Sequence, residues 1–312
     1  MRVVSLLASG TEIVCALGAG DWLVGRSHEC DNPEWVRSLP RCSEPTFDAS
    51  VSSKEIDAEV GRRIRAREPL YVVHTDLIRE LNPDVIIAQE HCEVCAVTPG
   101  DVDQSCTISG ARVVSLTASC LHDVFDGISK IAAALGIEDR GRELIRCEQQ
   151  RLDAVRARTA GQPRPSVVVL EWIEPAYAMG NWGPELVECA GGALALGHKG
   201  ELSFGMASER VREADPEYLI VAPCGFDLDR TVREAACLTN LPWWRELRAV
   251  REGKVALADG NMFFNRSGMT VTRTAEIIAE ILHGEIFGMP SHNVHWRWMG
   301  NPGATPMSPT PA

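Results

Sequence analysis

No stretch of this sequence approaches the ~20 consecutive apolar residues that cross a bilayer, so membrane insertion is not expected. No secretion leader is expected either. Met1-Arg2 runs straight into Val3-Val4-Ser5-Leu6-Leu7, with no charged stretch, apolar core and A-x-A site in series. The expectation is a cytoplasmic protein as given, or a periplasmic one if the N-terminus has been trimmed. Positive charge is scarce: 31 Lys and Arg face 43 Asp and Glu, a net charge of -12. An acidic surface repels phosphate backbones, which excludes nucleic acid as a natural partner. The short basic run at Arg62, Arg63, Arg65 and Arg67 sits among acids and reads as a solvated helix face. The phosphate-cradling G-x-x-x-x-G-K-[ST], the nucleophile elbow G-x-S-x-G and the dinucleotide fingerprint G-x-G-x-x-G are all absent. Acids are present at Glu12, Glu29, Glu90, Glu93 and Glu171, but nothing marks a nucleophile–base pair, and no catalysis is expected.

What is present fits two lobes. The chain has 312 residues, 45% apolar and 24% charged, enough for two cores without disulfides or metals. Strand and helix signals alternate over residues 1–118. Val3–Leu7, Trp22–Gly25, Asp84–Ala88 and Ala111–Leu116 read as strands, and Thr11–Leu17, Ser52–Arg67 and His74–Leu81 as helices. Residues 119–160 carry helical spacing throughout and read as one long, bent connecting helix. Alternation returns over residues 161–287. The tail, residues 288–312, is rich in Pro, Gly and His and reads as a wrapping or disordered extension. The expected fold is α/β, with mainly parallel sheets in two lobes joined by a long α-helix. The halves also echo each other. Leu81-Asn82-Pro83-Asp84-Val85-Ile86-Ile87-Ala88 matches Ala214-Asp215-Pro216-Glu217-Tyr218-Leu219-Ile220-Val221, and residues 111–116 match 253–258, in the same order.

Ligands of open parallel sheets bind beyond the carboxyl ends of the strands. Those positions gather soft donors: His28 and Cys30 after the second strand, His91, Cys92 and Cys95 after the third, and Cys224 in the second half. The eleven cysteines are an odd number; Cys15, Cys120, Cys147, Cys189 and Cys237 lie in apolar helical patterns and read as small core hydrophobes. The single Cys92-x-x-Cys95 pair admits three readings: structural thiols, a ligand or metal role, or a redox pair. His292-x-x-His295 has ligating spacing but stands in the tail. Ser9-Gly10-Thr11 is either a helix cap or an anion cradle. Aromatics concentrate in the second half, where 11 of 18 lie between residues 161 and 287. Their flat faces suit a large planar ligand.

The opening Val3–Val14, followed by Leu17-Gly18 and Leu23-Val24-Gly25, resembles class III substrate-binding proteins of ABC importers, the binders of vitamin B12, siderophores and heme. Ser27–Asp31, Cys92–Val97, Pro223–Phe226, Asp259–Asn261 and Phe264–Arg266 resemble the cobalamin-binding branch, and the similarity spans residues 2–285. The resemblance implies two Rossmann-like lobes on a rigid helical backbone and non-catalytic binding of a corrinoid, such as cobalamin, or another metal chelate between them. It also implies an ABC permease as partner if the protein is exported. The ligand-binding candidates are His28, Glu29, Cys30, Cys92, Cys95, Trp172, Trp182, Cys224, Phe226, Phe264, Asn265 and Arg266. Cys30, Cys92, Cys95 and Cys224 are the candidate metal ligands, for the metal of a chelate or for a transition metal such as zinc or iron held directly. A direct metal-binding protein or metalloenzyme is the alternative. A scaffold that kept the fold without the ligand is a third.

Overall fold

A computed structural model of the protein describes residues 1–89 and 110–300. Short apolar runs give the strands of the first half: β1 (Val3–Ser5), β2 (Leu23–Arg26), β3 (Ser43–Pro45), β4 (Tyr71–Val73), β5 (Val85–Gln89) and β6 (Arg112–Leu116). Four of them form a parallel sheet in the order β2-β1-β5-β6, while β3 and β4 pair separately as an antiparallel ribbon. Every residue of β1 and β5 is buried, as expected of parallel strands covered on both faces.

The second half holds β7 (Ser166–Trp172), β8 (Ala176–Ala178), β9 (Ala193–Leu194), β10 (Phe204–Met206), β11 (Tyr218–Val221), β12 (Val255–Ala258) and β13 (Trp296–Trp298). Here β9-β7-β11-β12 is parallel throughout and repeats the strand order of the first sheet; antiparallel β8, β10 and β13 extend it. The strands matched by sequence, β5 with β11 and β6 with β12, hold equivalent places in the two sheets.

The helices are α1 (Ala8–Ala16), α2 (Ser53–Ala66), α3 (Thr75–Leu81), α4 (Leu121–Leu135), α5 (Glu138–Thr159), α6 (Gly183–Cys189), α7 (Glu209–Ala214), α8 (Leu228–Ala235), α9 (Arg248–Arg251), α10 (Val271–Leu282) and α11 (Gly284–Phe287). The echo between halves is local as well. Helix α3 ends on Asn82 and α7 on Asp215, each left-handed (φ 44° and 35°) and each followed by a proline that forbids further helix.

The connecting segment is helical, as expected, but interrupted. Gly136 caps α4 in the left-handed region at φ 69°, so residues 119–160 form two helices. Helix α4 packs on the first sheet and α5 packs against α6 and α10 of the second half. The described part of the tail follows the wrapping reading. Residues 289–299 fold back and lay β13 antiparallel on β12. Trp296 is fully buried and its indole N–H donates to Glu280 at 3.3 Å. His292 packs edge-on against Trp296 and His295 against Phe263, which gives both rings a packing role.

Candidate ligand-binding cleft

The loops that leave the strand ends hold the two halves together at two places. The first is a buried charge cluster. After β12 the chain makes one turn of π-helix, Gly260–Phe264, pressed so tightly onto the preceding loop that a Cβ on Gly260 would stand 2.1 Å from the Pro223 carbonyl oxygen. That turn delivers Arg266, which is buried and bridges to the other half: Nη1 donates to Glu12 at 2.8 Å and Nη2 to Asp31 at 2.6 Å. Asn261 donates to the same Asp31 at 3.0 Å, and Asn32 donates to Glu12 at 3.1 Å. Gly268 lies against Ser9, where a Cβ would meet the serine Cβ at 2.7 Å. Burial pushes the Glu12 carboxyl above its usual range and outweighs Arg266, which pulls it down.

The second is an excursion of the first half, residues 46–70, rooted on the β3–β4 ribbon. Arg230 donates to the carbonyls of Ala49 and Val51, both at 2.7 Å, with its guanidinium 3.7 Å above the Phe226 ring. Trp172, 5.1 Å from Phe226, donates its indole N–H to the Ser53 carbonyl at 3.1 Å. The Ser53 amide donates to Glu234 at 3.3 Å, and the Tyr177 hydroxyl donates to Asp57 at 3.2 Å. Beside Trp172, at the end of β7, the half-buried Glu171 accepts from Ser203, and its main-chain oxygen accepts from the Cys224 amide at 2.9 Å. Burial raises the Glu171 carboxyl to about 7, against the lowering pull of Ser203 and the Gly180 amide.

These positions sort the expected site residues. Trp172 and the half-buried Cys224 stand at the strand ends of the second half. His28 and Glu29 stand at the root of the excursion: His28 Nδ1 lies 3.0 Å from the Ser43 hydroxyl, its Nε2 lies 3.3 Å from Glu29, and its ring packs on Tyr71. Phe226 is buried under Arg230 and Trp172. Four of the expected residues serve packing or internal hydrogen bonds instead. Cys30 is 1% exposed, and its sulfur meets the hydroxyls of Thr11 at 3.0 Å and Ser27 at 3.1 Å inside the first core, with the thiol pushed up by burial. Trp182 and Phe264 belong to the core of the second half, packed among residues such as Met179 and Leu186. Burial, not a cleft, is what their apolar surface meets. Asn265 is structural as well, its amide donating to the carbonyls of Ala222 and Gly260 at 2.9 Å. Arg266 ties the halves. Cys92 and Cys95 lie outside the described residues. Among the described residues no three His, Cys, Asp or Glu side chains are grouped to hold a metal ion.

Sequence reasoning missed Tyr177, Arg230 and Asp57. None carries a motif; only the excursion's path onto the second half brings them together.

The periplasmic binding protein family model matches residues 3–262. The chain belongs to that family. Solved structures agree on its class III fold. It superposes on the periplasmic vitamin B12 binding protein BtuF of Vibrio cholerae with a TM-score of 0.66, at 20% identity over 90% of this chain and 96% of that one. A periplasmic heme binding protein from Pseudomonas aeruginosa gives 0.65 at 22% identity, over 92% of each chain. The periplasmic heme-binding protein RhuT from Roseiflexus sp. RS-1 gives 0.65 at 21% identity, over 90% and 95%. Identities this low speak for the fold alone. No curated protein matches the chain in sequence. Among the described residues no helix of this family member is long and apolar enough to cross a membrane.

Proposed function

We propose that the protein binds a metal chelate, a corrinoid or a heme, between its two lobes and serves as the binding component of an ABC importer. One observation carries the reading: membership of the periplasmic binding protein family over most of the chain, in a fold shared with proteins described as vitamin B12 and heme binders. The geometry supports it. Indole, phenol and guanidinium donors at Trp172, Tyr177 and Arg230 stand together where the second half meets the excursion, a set suited to a flat ring system with oxygen acceptors on its rim. We assign ligand contact to Trp172, Cys224, His28 and Glu29, with Phe226 backing Trp172.

Titration with hydroxocobalamin and hemin, followed by absorbance and calorimetry, tests this. The expected result is a saturable one-to-one change at micromolar concentration, weakened in Trp172→Phe. A Cys224→Ser variant should shift the visible spectrum if sulfur ligates the metal. No saturable change with either compound at tens of micromolar, about −6 kcal/mol of binding or weaker, refutes the assignment. Co-purification with a permease and fractionation of the native host test the partner and separate a periplasmic from a cytoplasmic protein.

A second reading rests on Cys92-x-x-Cys95, whose spacing suits a transition metal held directly. Metal analysis of anaerobically purified protein distinguishes it: a stoichiometric ion lost in Cys92→Ser/Cys95→Ser favours this reading, and its absence rejects it.

A further inference from the structure

The excursion over residues 46–70 is built differently from everything around it. Its two ends are adjacent, because Pro45 pairs with Tyr71 in the β3–β4 ribbon. Its helix α2 buries only Ser53 and Ile56 and leaves Ile64 exposed, whereas α10 buries ten of its twelve residues. The contacts described above that fix it to the second lobe are hydrogen bonds: Arg230 to Ala49 and Val51, Trp172 to Ser53, Ser53 to Glu234, and Tyr177 to Asp57. An element held by few apolar contacts and rooted on a closed ribbon opens at low cost and as a unit. The excursion also sits on the donors that a cleft ligand would use. Toward Arg230, Trp172 and Tyr177 it presents only oxygen acceptors: three main-chain carbonyls and one carboxylate.

We propose that residues 46–70 are a lid, and that Arg230, Trp172 and Tyr177 are its latch, exchanging the lid's oxygens for those of the cargo when it lifts. The exchange rests on the ligand-binding reading above, and it narrows the cargo to a planar ring system whose rim carries carboxylate or amide oxygens. These donors are half-buried under the lid, so a cargo that covers them in its place must supply acceptors, and a ring with a wholly apolar rim leaves them unpaired and is disfavoured.

Amide hydrogen exchange of the full chain, compared with the Arg230→Ala/Tyr177→Phe variant, tests the lid without any ligand. Residues 53–66 should exchange as a block, about a hundred-fold or more faster than residues 271–282, and the variant should speed that block by a further factor of about ten while leaving 271–282 unchanged. Exchange of 53–66 at the rate of 271–282 overturns the lid. Fast exchange that the variant does not alter overturns the latch. Stopped-flow quenching of tryptophan fluorescence by hemin tests the exchange of partners. Association should reach a concentration-independent ceiling in the parent protein, set by opening, and stay linear in hemin in Asp57→Ala, which unfastens the lid from its own side and leaves the cleft donors in place. A linear dependence in both refutes gating. If neither hemin nor hydroxocobalamin binds while the exchange block behaves as expected, the cargo assignment fails and the lid stands.

Discussion

The thiol of Cys30 shows how a donor-rich sequence pattern turns into packing. Attack by an alkylating reagent needs a thiolate and a path to it. Cys30 has neither, being buried, hydrogen-bonded and raised above its ordinary pKa. Cys15, Cys42, Cys189 and Cys237 are each pushed up to about 11. Mass mapping after iodoacetamide treatment at pH 7.5 should leave Cys30 unlabelled until the protein unfolds; early labelling would return it to the cleft. Glu171 carries the clearest pH signature. Its carboxyl rises from 4.5 to about 7 on folding. A raised folded value means that the native state holds the proton more tightly. The stabilisation is therefore full below pH 4.5 and lost as pH climbs through about 7. The displacement corresponds to roughly 3 kcal/mol at most. Glu171→Gln should remove that slope, so urea unfolding at pH 5 and pH 8 should differ less in the variant than in the parent. Equal differences would show that Glu171 titrates normally.

Secondary elements were legible in proportion to how much local chemistry fixes them. The Asx-Pro endings of α3 and α7 and the buried runs of β5 and β11 stand where the sequence places them, because proline and β-branched repeats act within a few residues. The connecting segment was legible as helix throughout but not as two helices, because Gly136 sits inside a helical period and only its positive φ breaks it. Strands β3, β4, β8, β9, β10 and β13 passed unnoticed. Each is two or three residues long and exists because a partner edge was waiting for it, which no window along the chain can register. Helix α2 is capped by Ser52, which accepts from the Glu55 amide while Glu55 accepts from the Ser52 amide at 3.1 Å. Ser52→Ala should cost about 1 kcal/mol locally. Because α2 belongs to the lid, the expected effect is exchange of residues 53–66 faster by a factor of about five with little change in the urea midpoint of the whole protein. A fall in that midpoint would make α2 part of the global folding unit.

Across the whole molecule the duplication was readable and the fastening was not. Two matched segments in the same order, one of them the Asx-Pro strand, pointed to repeated lobes, and the two sheets share one strand order. Nothing around Arg266 in the sequence names Glu12 and Asp31, 254 and 235 residues away. Ion pairing at such separations is set by how the lobes dock. Removing one member of a buried pair strands the other charge, at about 3–5 kcal/mol. Arg266→Met should show that loss in urea denaturation, and Glu12→Gln in the same background should recover part of it. An unchanged midpoint in Arg266→Met would mean that water already reaches the cluster.

The same arrangement governs how the gene could be divided. Any cut between the lobes puts the cation on one fragment and both carboxylates on the other, so each piece carries an unneutralised docking face. Although the halves look like copies, neither is a portable module, and reassembly from separately expressed fragments should depend on salt far more than the intact chain does.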